Sequence, residues 1–112
     1  VKTIEYAAFA EIDIRVGTVL RAEPLAGARK PAIKLEIDFG PTFGKKWSSA
    51  QLTVIYTPES LTGKRICAVV NVAPKRIAGF ESQVLVLGFA DDAGAVVLVA
   101  PDQPVANGVR LS

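Results

Sequence analysis

The sequence predicts an all-β fold, a small five-stranded Greek-key barrel with one short helix between its third and fourth strands. Three observations predict it. Residues 33–39 alternate strictly, with Ile33, Leu35, Ile37 and Phe39 on one face and Lys34, Glu36 and Asp38 on the other. Residues 66–72, 84–89 and 95–99 are continuously apolar, the pattern of strands buried on both faces. Helix signals are confined to two short segments, 6–12 and 57–62.

Taken in order, YAAFAEI (6–12) sets Tyr6 and Phe9 three residues apart and predicts a short N-terminal helix. Residues 13–20 alternate more loosely, with Ile14, Val16 and Leu20 on one face and Arg15 on the other. Gly17 within them predicts a bulge or sharp bend, the device that curls the first strand of a small barrel. The second strand is 33–39 and the third is 47–55. In TPESL (57–61), Thr57 is the expected N-cap, Pro58 takes the first helical position and Glu59 the first turn, with Gly63 available to end the helix. The fourth strand follows at 66–72 and the fifth at 84–89. ADDAG (90–94) then turns the chain into a last apolar run, a C-terminal hairpin extension. An SH3-like barrel competes, but it offers no natural place for a helix at 57–62. The oligonucleotide/oligosaccharide-binding (OB) fold does.

A chain of 112 residues is expected to form one domain. A domain of that size buries only about two thirds of its unfolded surface, yet half of these residues are hydrophobic. A second subunit is therefore expected to cover part of the apolar surface, the two-sided strands at 84–99 above all. The N-terminal segment carries Glu5, Glu11 and Asp13 and has no long apolar core, and the apolar runs fall short of the ~20 residues that span a bilayer. The expectation is a soluble, cytoplasmic protein without membrane insertion. Cys67 is the only cysteine, so no intrachain disulfide forms, and its apolar neighbours make it a small buried hydrophobe.

The absence of histidine removes Ser-His and Cys-His nucleophilic pairs and histidine metal sites together. Gly44-Lys45-Lys46 and Gly63-Lys64-Arg65 lack the upstream glycine and following hydroxyl of a phosphate-binding loop. Glu36 and Asp38 share a strand face, but two acids in that arrangement are ordinarily solvated charge, and Asp91 and Asp92 are turn residues. An enzyme is not expected, nor a cofactor.

Net charge is only +2, but its distribution is uneven. Residues 29–76 hold nine Lys and Arg against three acids, between flanks that are mildly acidic. Three clusters lie in that stretch. ARKPAIK (28–34) contributes Arg29, Lys30 and Lys34; KKWSSAQ (45–51) contributes Lys46, Trp47, Ser48, Ser49 and Gln51; PKRIAGFES (74–82) contributes Lys75, Arg76 and Ser82. Together they supply cations for phosphates, hydroxyls and amides for hydrogen bonds, and Trp47 or Phe80 for stacking. The plain alternatives are scattered solubilising charge and partial core packing of the two aromatics.

DIRVGTVLRAE, ARKPAIKLEIDFG, SSAQLTVIYTPESLTGK, VVNVAPKRIAGFES, VLVLG and PDQPVANG, in that order, resemble the CsaA-type export-related chaperones. These sit within the wider family of tRNA-binding domains that are also appended to methionyl- and phenylalanyl-tRNA synthetases and occur in structure-specific tRNA-binding proteins. The likeness runs from about residue 9 to residue 112. It implies an OB barrel, a homodimer and no catalytic activity, with two kinds of partner: unfolded or export-bound polypeptides, and tRNA. Ser49 and Ser82 match the family's paired serines, Asn71 matches the asparagine that closes strand four, and Lys75 and Arg76 match the basic residues after it. Taken with the three clusters, the expected tRNA or polyanion surface is Arg29, Lys30, Lys34, Lys46, Ser49, Asn71, Lys75, Arg76 and Ser82, and the expected peptide contacts are Trp47, Ser48 and Gln51. Two positions depart from the chaperone pattern. Lys75 stands where that subgroup reads arginine, keeping the charge without the bidentate fork, and Trp47 stands where a polar or basic side chain is expected.

Overall fold

The computed structural model describes residues 1–112. Helix α1 (Tyr6–Ala10) leads into the long strand β1 (Ile14–Pro24), followed by β2 (Ile33–Asp38), the single turn α2 (Gly40–Phe43) and β3 (Lys45–Ala50). Helix α3 (Pro58–Leu61) connects to β4 (Arg65–Val69). Then come a small hairpin, β5 (Lys75–Ile77) and β6 (Phe80–Ser82), the short β7 (Leu85–Val86), and a final hairpin, β8 (Gly88–Ala90) and β9 (Val96–Leu98). The main sheet runs β3-β2-β1-β4-β7 with every neighbour antiparallel. It forms the nearly closed five-stranded OB-type barrel that the sequence predicts, with α3 between the third and fourth strands.

Alternation in β2 builds the core. Ile33, Leu35 and Ile37, with Phe39 just beyond, are buried among Val19, Leu52, Leu61, Ile66, Ala68 and Val84. Helix α3 is fixed at its start by a capping box. The Thr57 hydroxyl accepts from the Ser60 amide at 3.1 Å, and the Ser60 hydroxyl accepts from the Thr57 amide at 2.9 Å. That orientation sends Leu61 into the core.

Strand boundaries follow the partners available. β1 runs four residues past its expected end because β2 pairs with it as far as Pro24 opposite Ile33. The third strand stops at Ala50, five residues early, because its partner β2 begins at Ile33, opposite Ala50. Val54 and Ile55 are left exposed. The run at 84–89 divides at Leu87, with β7 pairing to β4 and β8 pairing to β9.

Gly17 does not form the bulge. The register shift lies between Val19 and Arg21, at Leu20. Gly17 is instead a close-packing position, where a Cβ would stand 2.6 Å from Ile37 Cγ2 and 2.9 Å from Phe39 Cε1.

Side chains complete the barrel where no strand pairs with the free edge of β3. The Gln83 amide donates to the Trp47 carbonyl at 2.8 Å, and the Trp47 amide donates to Gln83 Oε1 at 2.8 Å. The Ser49 amide donates to Ser82 Oγ at 3.1 Å, and Ser48 Oγ donates to the Val84 carbonyl at 2.9 Å. Buried polar groups are thereby paired along the seam.

The C-terminal segment returns along β1. The Gly108 amide donates to the Val16 carbonyl at 2.8 Å, and the Leu111 amide to the Ile14 carbonyl at 2.8 Å. Arg15 clasps it, donating through Nε to Asp13 at 2.6 Å and through Nη1 to the Gly108 carbonyl at 2.9 Å. The hydrogen bond from Arg15 holds the Asp13 carboxyl below its usual pKa of 3.8, against the opposing effect of burial, with the Arg15 and Arg110 charges adding to the depression. A carboxyl lowered in the fold contributes stability that is fully present above its unfolded pKa and is lost as pH falls through the folded one. Melting curves from pH 5 to pH 2 are therefore expected to decline less steeply for Asp13→Asn than for the native chain. Equal declines would contradict this role.

The apolar runs are covered unevenly. Residues Ile66 to Val69 of β4 are all buried, as two-sided burial requires. On the later strands Leu85, Phe89 and Val97 remain 53%, 70% and 38% exposed, and Phe89 and Val97 lie directly opposite each other in register. No helix is long and apolar enough to cross a membrane.

Candidate binding surface

PKRIAGFES, which lies between the expected fourth and fifth strands, forms a hairpin of its own. Lys75 pairs with Ser82, Arg76 with Glu81 and Ile77 with Phe80, across a two-residue turn. Ala78 and Gly79 both have positive φ, 52° and 78°, the requirement of a type I′ turn whose twist suits a tight hairpin. Glycine takes the second position without strain. The hairpin presents Lys75 and Arg76 on a short two-stranded arm. On the other side, the β1–β2 loop is pinned at its base by the Leu25 amide donating to the Ala32 carbonyl at 3.0 Å. That closure projects Arg29 and Lys30 outward.

The two arms flank a cleft of about 910 Å³, within the range of sites that engage substantial ligands. Arg29, Lys30, Lys75 and Arg76 all line it, together with Ser49 and Gln51 at the end of β3. The structure thus brings six of the expected site residues, drawn from all three basic clusters, to one place. None of the four cations takes part in any of the protein's ion pairs, which are Arg15–Asp13, Arg21–Glu36, Lys34–Glu23 and Arg110–Asp13. Their charge is free for a ligand.

Sequence reasoning missed the remainder of the cleft, which is apolar and comes from Ile77, Leu85, Val86, Leu87, Val96 and Leu98. The signal is present in the continuous apolar runs at 84–89 and 95–99, which cover by a partner subunit also explains. The cleft therefore pairs a cationic rim with a greasy lining.

Lys34 and Trp47 line a neighbouring pocket of about 370 Å³ with Phe80, Glu81 and Gln83. Trp47 and Phe80 meet edge to face, centroids 5.9 Å apart and planes at 88°. The Lys34 ammonium lies 5.9 Å from one ring centre and 5.8 Å from the other while pairing with Glu23 at 3.0 Å. Arg21, which the sequence did not single out, stands 5.4 Å over the indole. Its signal is register: Arg21 faces Glu36 on β2, and Glu36 faces Trp47 on β3.

Four expected site residues have other positions. Lys46 pairs with Ile37 and so shares the inward-directed face of β3 with Ser48, opposite to Trp47 and Ser49; the two-residue pleat keeps it out of the cleft. Ser48 is fully buried, and its hydroxyl closes the barrel seam, so it presents nothing to a peptide. Ser82 is 9% exposed and accepts from the Ser49 amide, again at the seam. Asn71 ties the N-terminal segment to the end of β4, its Oδ1 accepting from the Asp13 amide at 2.9 Å and its Nδ2 donating to the Glu11 carbonyl at 2.7 Å.

No group of three or more His, Cys, Asp or Glu side chains is placed to hold a metal. Cys67 is buried, and desolvation raises its thiol pKa despite the nearby Arg65 charge, so it rests as the protonated, unreactive thiol.

Residues 14–110 match the putative tRNA-binding domain family. The chain belongs to the CsaA-type chaperone and tRNA-binding domain family. It is 51% identical to the chaperone CsaA of Bacillus anthracis, whose crystal structure superimposes with a TM-score of 0.92 over 99% of this chain and 100% of that one. The CsaA chaperone protein of Picrophilus torridus is 45% identical, again with a TM-score of 0.92, over 98% of this chain and 100% of that one. The methionine–tRNA ligase of Methanosarcina mazei is 38% identical over 109 residues, 96% of this chain, but the chain spans only 15% of the ligase. Ser49 and Ser82 join the free edge of β3 to the segment that precedes β7.

Proposed function

We propose that this protein is a cytoplasmic, homodimeric chaperone that holds unfolded or export-bound polypeptides in the cleft between the β1–β2 loop and the β5–β6 hairpin. The observation that carries the reading is the composition of that cleft, an apolar lining of Leu85, Leu87 and Leu98 beneath a rim of four unpaired cations. Extended polypeptide buries apolar side chains against such a lining, at roughly 25 cal/mol per Å². The rim and the Gln51 amide meet its polar groups, and no phosphate-binding loop is present to drive a nucleotide cycle. Likeness to the two CsaA chaperones supports the same reading. Homodimerisation is supported by the exposed apolar side chains Phe89 and Val97, which lie opposite each other in register and outside the cleft lining.

Suppression of aggregation tests the activity. A chemically denatured client diluted into an equimolar amount of dimer is expected to stay in solution without ATP, and unchanged light scattering would contradict the reading. Light scattering of the protein alone is expected to give twice 11.9 kDa at micromolar concentration. A monomer would refute the dimer.

A second reading rests on the same rim. Four unpaired cations on two arms suit the phosphates of a folded RNA, and membership of the tRNA-binding domain family supports tRNA as the partner. One cleft is open to both ligands in turn, so polypeptide and tRNA are expected to compete for it.

A further inference from the structure

We propose that the pocket formed by Trp47 and Phe80 takes a single unstacked RNA base, next to the cleft whose rim takes the phosphates. The proposal rests on the RNA-binding reading of that rim. Trp47 and Ser49 point the same way from β3, two residues or about 6.6 Å apart, and Ser49 lines the cleft while Trp47 lines the pocket. A strand following the cations therefore meets the indole directly.

The pocket has the features of a base site. Both rings of the edge-to-face pair line the pocket and present aromatic surface to it. The cations over the rings stand 5.4 to 5.9 Å from the ring centres. These distances lie near the ~6 Å limit of cation–π attraction, so the hold of the rings on the cations is weak. The Arg21 side chain is 65% exposed and can fold outward to lie over a base, giving an indole–base–guanidinium stack. Lys34 is at hand for the adjoining phosphate. The Glu81 carboxylate on the pocket wall accepts from a base amino group, and Gln83, whose Oε1 is taken by the Trp47 amide, keeps its amide nitrogen as a donor. A purely apolar peptide side chain uses neither the cations nor this polar edge.

Trp47 is the only tryptophan, so its emission reports this pocket alone. The test compares a hexameric oligoadenylate with an abasic ribose-phosphate oligomer of the same length and charge. Oligoadenylate is expected to quench Trp47 and to bind about 5- to 100-fold more tightly than the abasic oligomer, which leaves the emission unchanged. Trp47→Leu, followed by anisotropy of labelled oligomers, should abolish the difference while preserving abasic affinity. Phe80→Leu, which keeps the reporter, should reduce the difference. Equal affinity of the two oligomers with unchanged emission would overturn the base site and leave the phosphate rim standing. Failure of both oligomers to bind would overturn the base site, and tRNA affinity measured in parallel decides separately whether the phosphate rim stands. Quenching by an apolar peptide but not by oligoadenylate would assign the pocket to polypeptide and overturn the proposal.

Discussion

Replacing Arg29, Lys30, Lys75 and Arg76 together by alanine is expected to flatten the dependence of log affinity for tRNA on log salt by about 3 units. Each phosphate contact contributes roughly 0.7 to 0.9 to that slope through release of condensed counterions. At 0.1 M salt the affinity itself should fall by about two orders of magnitude or more, since all four charges line one cleft and none is balanced by a protein carboxylate. The fold should survive. All four side chains are exposed and lie outside the core, so the melting temperature should shift little. Lys46→Ala serves as the control, because the pleat of β3 directs it away from the cleft. A slope unchanged in the quadruple variant, or reduced as much by Lys46→Ala as by Arg76→Ala, would contradict the placement of the rim.

Gly17→Ala is expected to destabilise the protein by about 2–3 kcal/mol, the upper part of the roughly 1–3 kcal/mol range for an overpacked core, and to lower its melting temperature by roughly 10 °C. The new methyl would lie 2.6 Å from Ile37 Cγ2, 2.9 Å from Phe39 Cε1 and 3.0 Å from the Asp38 carbonyl oxygen. Ile37 and Phe39 are fully buried and packed on all sides, so relief requires moving β1 away from β2. Gly79→Ala provides the contrast. Its φ of +78° is strained for alanine, but no atom stands within 4 Å of the added methyl, so the loss should be nearer 1 kcal/mol. Equal melting temperatures for native and Gly17→Ala protein would show that the β1–β2 contact is looser than described.

Much of this fold was legible in the chain because local pattern and tertiary demand agree. The alternation at 33–39 became the buried face of β2, Thr57 capped α3, and ADDAG turned the last hairpin. The failures mark places where a distant partner decides. Residues 51–55 have strand propensity but no neighbour beyond Ala50, and Gly17 signals close approach to Phe39 where a bend was expected. The β5–β6 hairpin was hidden because Ala78 adopts a positive φ that its residue type disfavours.

The site was legible in part for the same reason. Charge clusters announce themselves in sequence, so the arms bearing Arg29, Lys30, Lys75 and Arg76 were identifiable before their convergence was. Hydroxyls do not announce their direction. Ser48 and Ser82 resemble surface donors in the chain, yet the barrel seam takes both. The apolar lining escaped notice because an apolar run reads the same whether a second subunit or a ligand covers it.

The central claim is that one cleft, between the β1–β2 loop and the β5–β6 hairpin, receives the partner. Amide chemical-shift mapping of the ¹⁵N-labelled protein against a permanently unfolded polypeptide tests it most directly. Perturbations are predicted to concentrate at residues 27–32, 49–52, 75–78 and 85–88, and to diminish when tRNA is added in competition. Perturbations centred on the far end of the barrel, around α2 and residues 107–108, with the cleft unaffected, would contradict the account.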